Sequence, residues 1–144
     1  MDTFLIDIIL PIYKPNHQLY KAINSVISQN YINWHLYIID DSSNDNSLNK
    51  IKDIYKIYSN KITYFQLEEN HRAAACRNYV VNNSNGDYIA FIDQDDIWMP
   101  EKLENQVKEI KKNHALAVHT NICFVDEIDD YIKSKQSKQE NDLE

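Results

Sequence analysis

Apolar residues along this chain alternate between two rhythms. Residues 5–12 are almost continuously apolar and rich in isoleucine, the pattern of a strand covered on both faces. Leu19, Ile23, Val26 and Ile27 then repeat at helical spacing through about Gln29, with Pro15-Asn16 supplying a turn and an N-cap. Residues 34–39 form a second apolar run, closed by Asp40-Asp41-Ser42-Ser43. Those four suit the N-cap of a helix whose apolar face is Leu48, Ile51, Tyr55 and Tyr58. Residues 62–67 predict a third strand, the alanine-rich residues 73–81 a helix, and residues 88–92 a fourth, buried strand. Pro100 fits the first position of a helix carrying Leu103, Val107 and Ile110, and residues 115–125 read as strand again. Such alternation predicts an α/β fold, a mostly parallel open sheet with helices on both faces. One domain would span residues 1–128. Residues 129–144 lack apolar periodicity and read as a polar, disordered tail.

Composition narrows the classes. At 144 residues and 43% hydrophobic, the chain can bury a sizeable core. Its net charge of -7, with no basic stripe, argues against a nucleic-acid partner. Cys76 and Cys123 share no metal-ligand spacing and make no disulfide framework, so free thiols in a reducing cytoplasm are the simplest account. The N-terminal apolar run is interrupted by Asp7 and ended by Pro11, too short to span a bilayer and without a signal peptide's charged start. The chain reads as soluble, with peripheral membrane association left open.

The chemistry concentrates at residues 88–96, Tyr-Ile-Ala-Phe-Ile-Asp-Gln-Asp-Asp, just after the only glycine, Gly86. Asp93, Asp95 and Asp96 repel one another at a strand end and call for a cation or strong donors. Taken alone, an Asp-x-Asp is more often a solvated acidic turn. In an open parallel sheet, however, ligands bind beyond the carboxyl ends of the strands. That edge also receives Pro11-Ile12-Tyr13 and Asp40-Asp41, and the chain's only arginines, Arg72 and Arg77, enter from the third connection and the helix after it. Asp41 as a helix cap, Tyr13 as a core residue and Arg77 in a surface ion pair are the plainer accounts. The ring, the strand-end carboxylates and the two arginines, converging on one edge, describe a nucleoside-diphosphate site.

The ordered series Ile9-Leu10-Pro11-Ile12-Tyr13, Ser25-Val26-Ile27-Ser28-Gln29-Asn30-Tyr31, Tyr37-Ile38-Ile39-Asp40-Asp41-Ser42-Ser43-Asn44-Asp45, Asn70, Cys76-Arg77-Asn78 and residues 86–98, running on into Pro100-Glu101-Lys102-Leu103, resembles family 2 glycosyltransferases. The resemblance covers residues 5 to about 128 and implies the Rossmann-like GT-A nucleotide-diphospho-sugar transferase fold. It implies an inverting transfer from a nucleotide-diphospho-sugar donor to a glycan or lipid-linked acceptor in cell-surface polysaccharide synthesis, with Mn²⁺ or Mg²⁺. The setting it implies is the cytoplasm, with the inner membrane face as a candidate site of action. By resemblance, Asp95 is the metal ligand and Asp93 faces the ribose or the metal. Asp41 accepts from the base, Tyr13 lies beside the base, Pro11 shapes that wall, and Arg77 and Arg72 are phosphate-side cations. Three departures stand out: Cys76 replaces an alanine, Arg72 stands where the family has glycine, and Lys14 where it commonly has asparagine. The family's catalytic base has no counterpart, since Asp126, Glu127, Asp129 and Asp130 do not match its motif. This implies an N-terminal, donor-side portion of an enzyme. The main rival is a nucleotide-sugar-binding module without catalysis. A haloacid-dehalogenase-type phosphatase is remote, because Ile97-Trp98 occupy what that class keeps as a small flexible turn. A receiver domain fails because the first strand ends in Pro11-Ile12-Tyr13 rather than in paired acids.

Overall fold

A computed structural model describes residues 3–125 and 131–135. The chain divides into two compact units, residues 1–104 and 105–144. The first holds β1 (Ile6–Ile12), α1 (Gln18–Ile27), β2 (Trp34–Asp40), α2 (Ser47–Ile57), β3 (Ile62–Gln66), α3 (Arg72–Val81) and β4 (Tyr88–Phe91). Its sheet is wholly parallel with strand order β3-β2-β1-β4.

Every residue of β1 is buried, as its unbroken apolar run requires of a central strand. On one face Ile9 and Ile39 pack with Cys76 and Val80 of α3, flanked by Tyr37, Phe65, Leu67 and Ile89. Strand alternation puts Ile8, Leu10, Leu36 and Ile38 on the other face, all fully buried. Each such side chain contributes about 1.5–3 kcal/mol relative to exposure. The steps from β1 through β2 to β3 run one way across the sheet, and the step to β4 returns past β1. Right-handed crossovers therefore place α3 opposite α1 and α2, giving helices on both faces.

Two oddities of sequence find physical reasons here. Pro11 lies inside a central strand, where a missing N–H is normally costly. The last rung to β4 is the Ile92 amide on the Ile9 carbonyl, at 3.1 Å. By alternation Pro11 faces the same side one step further on, after β4 has departed, so no acceptor is left waiting. Gly86 does not have a positive φ. A Cβ there would lie 2.7 Å from the carboxyl carbon of Asp7. Asp7, the acid that breaks the first apolar run, is buried and accepts from the amides of Asn85 (3.1 Å) and Gly86 (2.7 Å). The lone glycine makes room for the carboxylate that ties β1 to the turn before β4.

Several expectations are corrected. β4 is an edge strand, half-buried with Phe91 exposed, not a fully buried one. The Asp40–Ser43 segment does not cap α2, which begins after Asn46, itself left-handed at φ 59° and without a side-chain cap bond. Pro100 sits in the turn ahead of α4 (Lys102–Asn113), not at its first position. The buried Gln29 at the end of α1 reaches that turn, donating to the Met99 carbonyl (2.8 Å) and accepting from the Leu103 amide (3.0 Å).

In the second unit, strand is confined to β5 (Ile122–Val125) rather than residues 115–125, and Leu116 is almost fully exposed. β5 pairs antiparallel with β6 (Tyr131–Lys135), a strand inside the segment expected to be irregular. The rest of that segment, and Asp126, Glu127, Asp129 and Asp130, lie outside the described residues. Among the described residues no helix is long and apolar enough to cross a membrane.

Candidate functional site

The strand order reverses direction between β1 and β4, and the crevice of an open α/β sheet opens at such a switch point. Beyond β4 the chain makes a tight turn, closed by the Asp96 amide on the Asp93 carbonyl at 3.1 Å. The Asp93 and Asp95 side chains are exposed on this turn. Arg77 of α3 reaches across and pairs with Asp93, its guanidinium 5.9 Å from the Phe91 ring centroid. Tyr13, at the exit of β1, is 43% exposed and docks on the same turn through Gln94. The structure thus brings Tyr13, Arg77, Asp93 and Asp95 to one crevice. Asp96 is exposed as well, and partial desolvation on the turn, reinforced by Asp93 and Asp95, pushes its carboxyl above the usual carboxylate range. Burial also pulls the Lys102 ammonium below its ordinary range, although the charge of Asp96 opposes this.

The other acidic pair is used up by the fold. Asp40 is completely buried; one oxygen accepts from the amide (2.8 Å) and the hydroxyl of Ser43, the other from the Tyr64 hydroxyl (2.8 Å). The Tyr64 phenol is pushed up, by burial first and then by that carboxylate. Asp41 is 3% exposed and accepts from the His71 and Arg72 amides, one on each oxygen, both at 2.7 Å. The helix-cap role foreseen for Asp41 is real, but the helix is α3, thirty residues later, where orphan amides and the dipole favour a carboxylate. Asn70 adds a bond to the Asp41 carbonyl at 3.2 Å.

The sequence departures sort by backbone. Lys14 has φ 45° and Arg72 φ 67°, both left-handed. Asparagine and glycine, the residues the family resemblance leads one to expect there, are the types that enter this region most readily. Lys14 and Arg72 adopt it at a steric cost. Cys76 is fully buried, and burial with the nearby Asp41 charge pushes its thiol up to about 11, leaving it unreactive.

Among the described residues, no group of three or more His, Cys, Asp or Glu side chains is arranged to hold a metal. Two exposed carboxylates on one turn do fit a hard divalent cation that takes its remaining ligands from phosphate oxygens and water. The Arg77–Asp93 ion pair shows that a cationic group already settles there. A cavity of about 400 Å³ is lined by Leu67, His71, Ala75 and Tyr79 and by none of the predicted site residues, so cavity volume does not locate this open crevice.

The fold is the GT-A fold of nucleotide-sugar transferases. The Staphylococcus aureus TarS fragment 1–349 in complex with UDP-GlcNAc superposes with a TM-score of 0.69 at 25% identity, over 76% of this chain and 32% of that one. The Pyrobaculum calidifontis mannosyltransferase PcManGT, in complex with GDP-Man and Mn²⁺, shares the fold at a TM-score of 0.67 and 18% identity, over 73% of this chain and 32% of that one. The chain belongs to glycosyl transferase family 2, which matches residues 7–143. Among curated relatives, the Escherichia coli UDP-Glc:alpha-D-GlcNAc-diphosphoundecaprenol beta-1,3-glucosyltransferase WfgD is 36% identical over 121 residues, 84% of this chain and 47% of that protein. The chain spans about half, or less, of the length of the first curated relatives it matches.

Proposed function

We propose that this chain forms the donor half of an inverting glycosyltransferase and takes a UDP-hexose at the β1/β4 crevice. The observation that carries this reading is the turn after β4, which leaves Asp93 and Asp95 exposed beside Tyr13 and Arg77 at the switch point. Tyr13 offers a ring for the base. Asp41 accepts from the His71 and Arg72 amides and so keeps the amide end of α3 in place beside the donor. Arg77 stands where it can exchange Asp93 for a diphosphate oxygen, and Arg72 opens the same helix. Mn²⁺ or Mg²⁺, held by Asp95 with Asp93, would neutralise charge building on the departing diphosphate. UDP is favoured over other nucleotides because it appears in the names of the 36%-identical WfgD and of the TarS complex. The WfgD name also favours a lipid-linked acceptor, and hence work at the inner face of a membrane.

The test is to incubate the chain with UDP-glucose or UDP-N-acetylglucosamine, Mn²⁺ and lipid-linked or glycan acceptors, following bound donor, free UDP and product. Donor binding that Mn²⁺ strengthens, with little transfer, is the expected result, since a positioned base typically contributes about 10²–10⁴-fold in rate. Rapid transfer would contradict the donor-half reading, and no donor binding would refute the site itself.

A further inference from the structure

The residue between the two acids of the Asp-x-Asp turn ties that turn to the end of β1. The Gln94 side chain accepts from the Tyr13 amide at 2.9 Å and donates to the Tyr13 carbonyl at 3.3 Å. A strand residue points its own N–H and C=O to the same side, so one amide side chain can answer both. Gln94 thereby imitates one more residue of β4, continuing the ladder past the last backbone rung at Ile9 and past Pro11, which has no N–H to offer. From Tyr13 the bonding continues. The Lys14 amide donates to the Ser43 hydroxyl (2.9 Å), the Ser43 amide to Asp40 (2.8 Å), and the Tyr64 hydroxyl to the other Asp40 oxygen (2.8 Å). Side chains and peptides thus connect the carboxyl ends of β4, β1, β2 and β3 in sheet order. Everything beyond Tyr13 in this series is anchored by the fully buried Asp40. Gln94 joins that anchored part directly to the acidic turn.

We propose that Gln94 is a positioning residue that couples the two ends of the donor site, the acidic turn and the Tyr13 ring. The inference rests on the donor-site reading above. If Asp93 and Asp95 hold a cation on the diphosphate and Tyr13 meets the base, the distance between them has to match one nucleotide. Gln94 sets that distance without touching the ligand. Holding both contacts in register is a preorganisation effect, felt only when both ends are engaged. An alanine, serine or aspartate between the two acids would preserve the carboxylates and lose the joint.

The discriminating variant is Gln94→Met, which keeps length and bulk and removes both hydrogen bonds. UDP is titrated calorimetrically into the parent and the variant, each with and without Mn²⁺. With Mn²⁺ the variant should bind about 3- to 10-fold more weakly, the worth of one or two net hydrogen bonds. Without Mn²⁺ its loss should be under about twofold, because the turn then carries no ligand to register. A variant that merely folds less well would lose the same factor in both titrations. Equal losses, or none, overturn the proposal. A second measurement uses Tyr13→Ala, whose cost in the presence of Mn²⁺ should shrink in the Gln94→Met background; additive costs would also overturn it. Failure of the parent chain to bind UDP at all would instead remove the donor-site reading, and this inference with it.

Discussion

Asp40-Asp41 and Asp93 to Asp96 are both acidic clusters at the carboxyl end of a parallel strand, and they do opposite work. The first pair is buried, and all four of its carboxylate oxygens accept bonds from the protein itself. The second leaves Asp93 and Asp95 on the surface of a turn, and Asp96 is under electrostatic pressure from both. Counting acids would rank the two sites alike. Counting the donors that face them separates a carboxylate that builds the site from one that remains available to a ligand.

The contrast predicts an ordered set of outcomes. Asp40→Ala should have the largest effect, about 3 kcal/mol or more of lost stability in chemical denaturation. It strands the Ser43 amide, the Ser43 hydroxyl and the Tyr64 hydroxyl around a buried gap. Asp41→Ala should cost about 1–2 kcal/mol of stability, the usual loss for an N-cap, and should weaken UDP binding as α3 shifts. Its UDP binding should remain dependent on Mn²⁺, because the acidic turn is untouched. Arg72→Gly should stabilise the chain by about 0.5–1 kcal/mol, since glycine removes the left-handed penalty at φ 67° while adding disorder to the unfolded chain. Asp95→Asn should change stability by less than about 0.5 kcal/mol, as expected for an exposed side chain. A large loss of stability in Asp95→Asn, or none in Asp40→Ala, would dissolve the distinction between the two turns.

Much of this architecture was readable in the residues. The apolar runs located β1, β2 and β3, the 3.6-residue stripe α1 and the alanine-rich run α3, each within a residue or two. The order of strands and acids also led to one edge, where Tyr13, Arg77, Asp93 and Asp95 do converge. What escaped was partnership over long sequence separation. Asp41 looked like the cap of the next helix, and nothing local says that its amides come from residues 71 and 72. Gln94 passed as the spacer of a motif, since its partner is the backbone of residue 13, which no side-chain pattern records. Lys14 and Arg72 were noticed as exceptions to a family habit. The φ angles show that both exceptions fall at left-handed backbone positions in this chain. Residues 115–121 carry apolar character without forming a strand, so composition alone overstated β5.

The central claim is that the turn after β4 offers its exposed carboxylates to a divalent cation shared with a nucleoside diphosphate. The most direct measurement is calorimetric titration of UDP into the parent chain and Asp95→Asn, each with and without Mn²⁺. Mn²⁺ should strengthen UDP binding to the parent by about tenfold or more, the scale of a charge-assisted contact, and Asp95→Asn should lose that gain while melting at the parent's temperature. Equal UDP affinity with and without Mn²⁺ in the parent, or undiminished binding by Asp95→Asn, would contradict it.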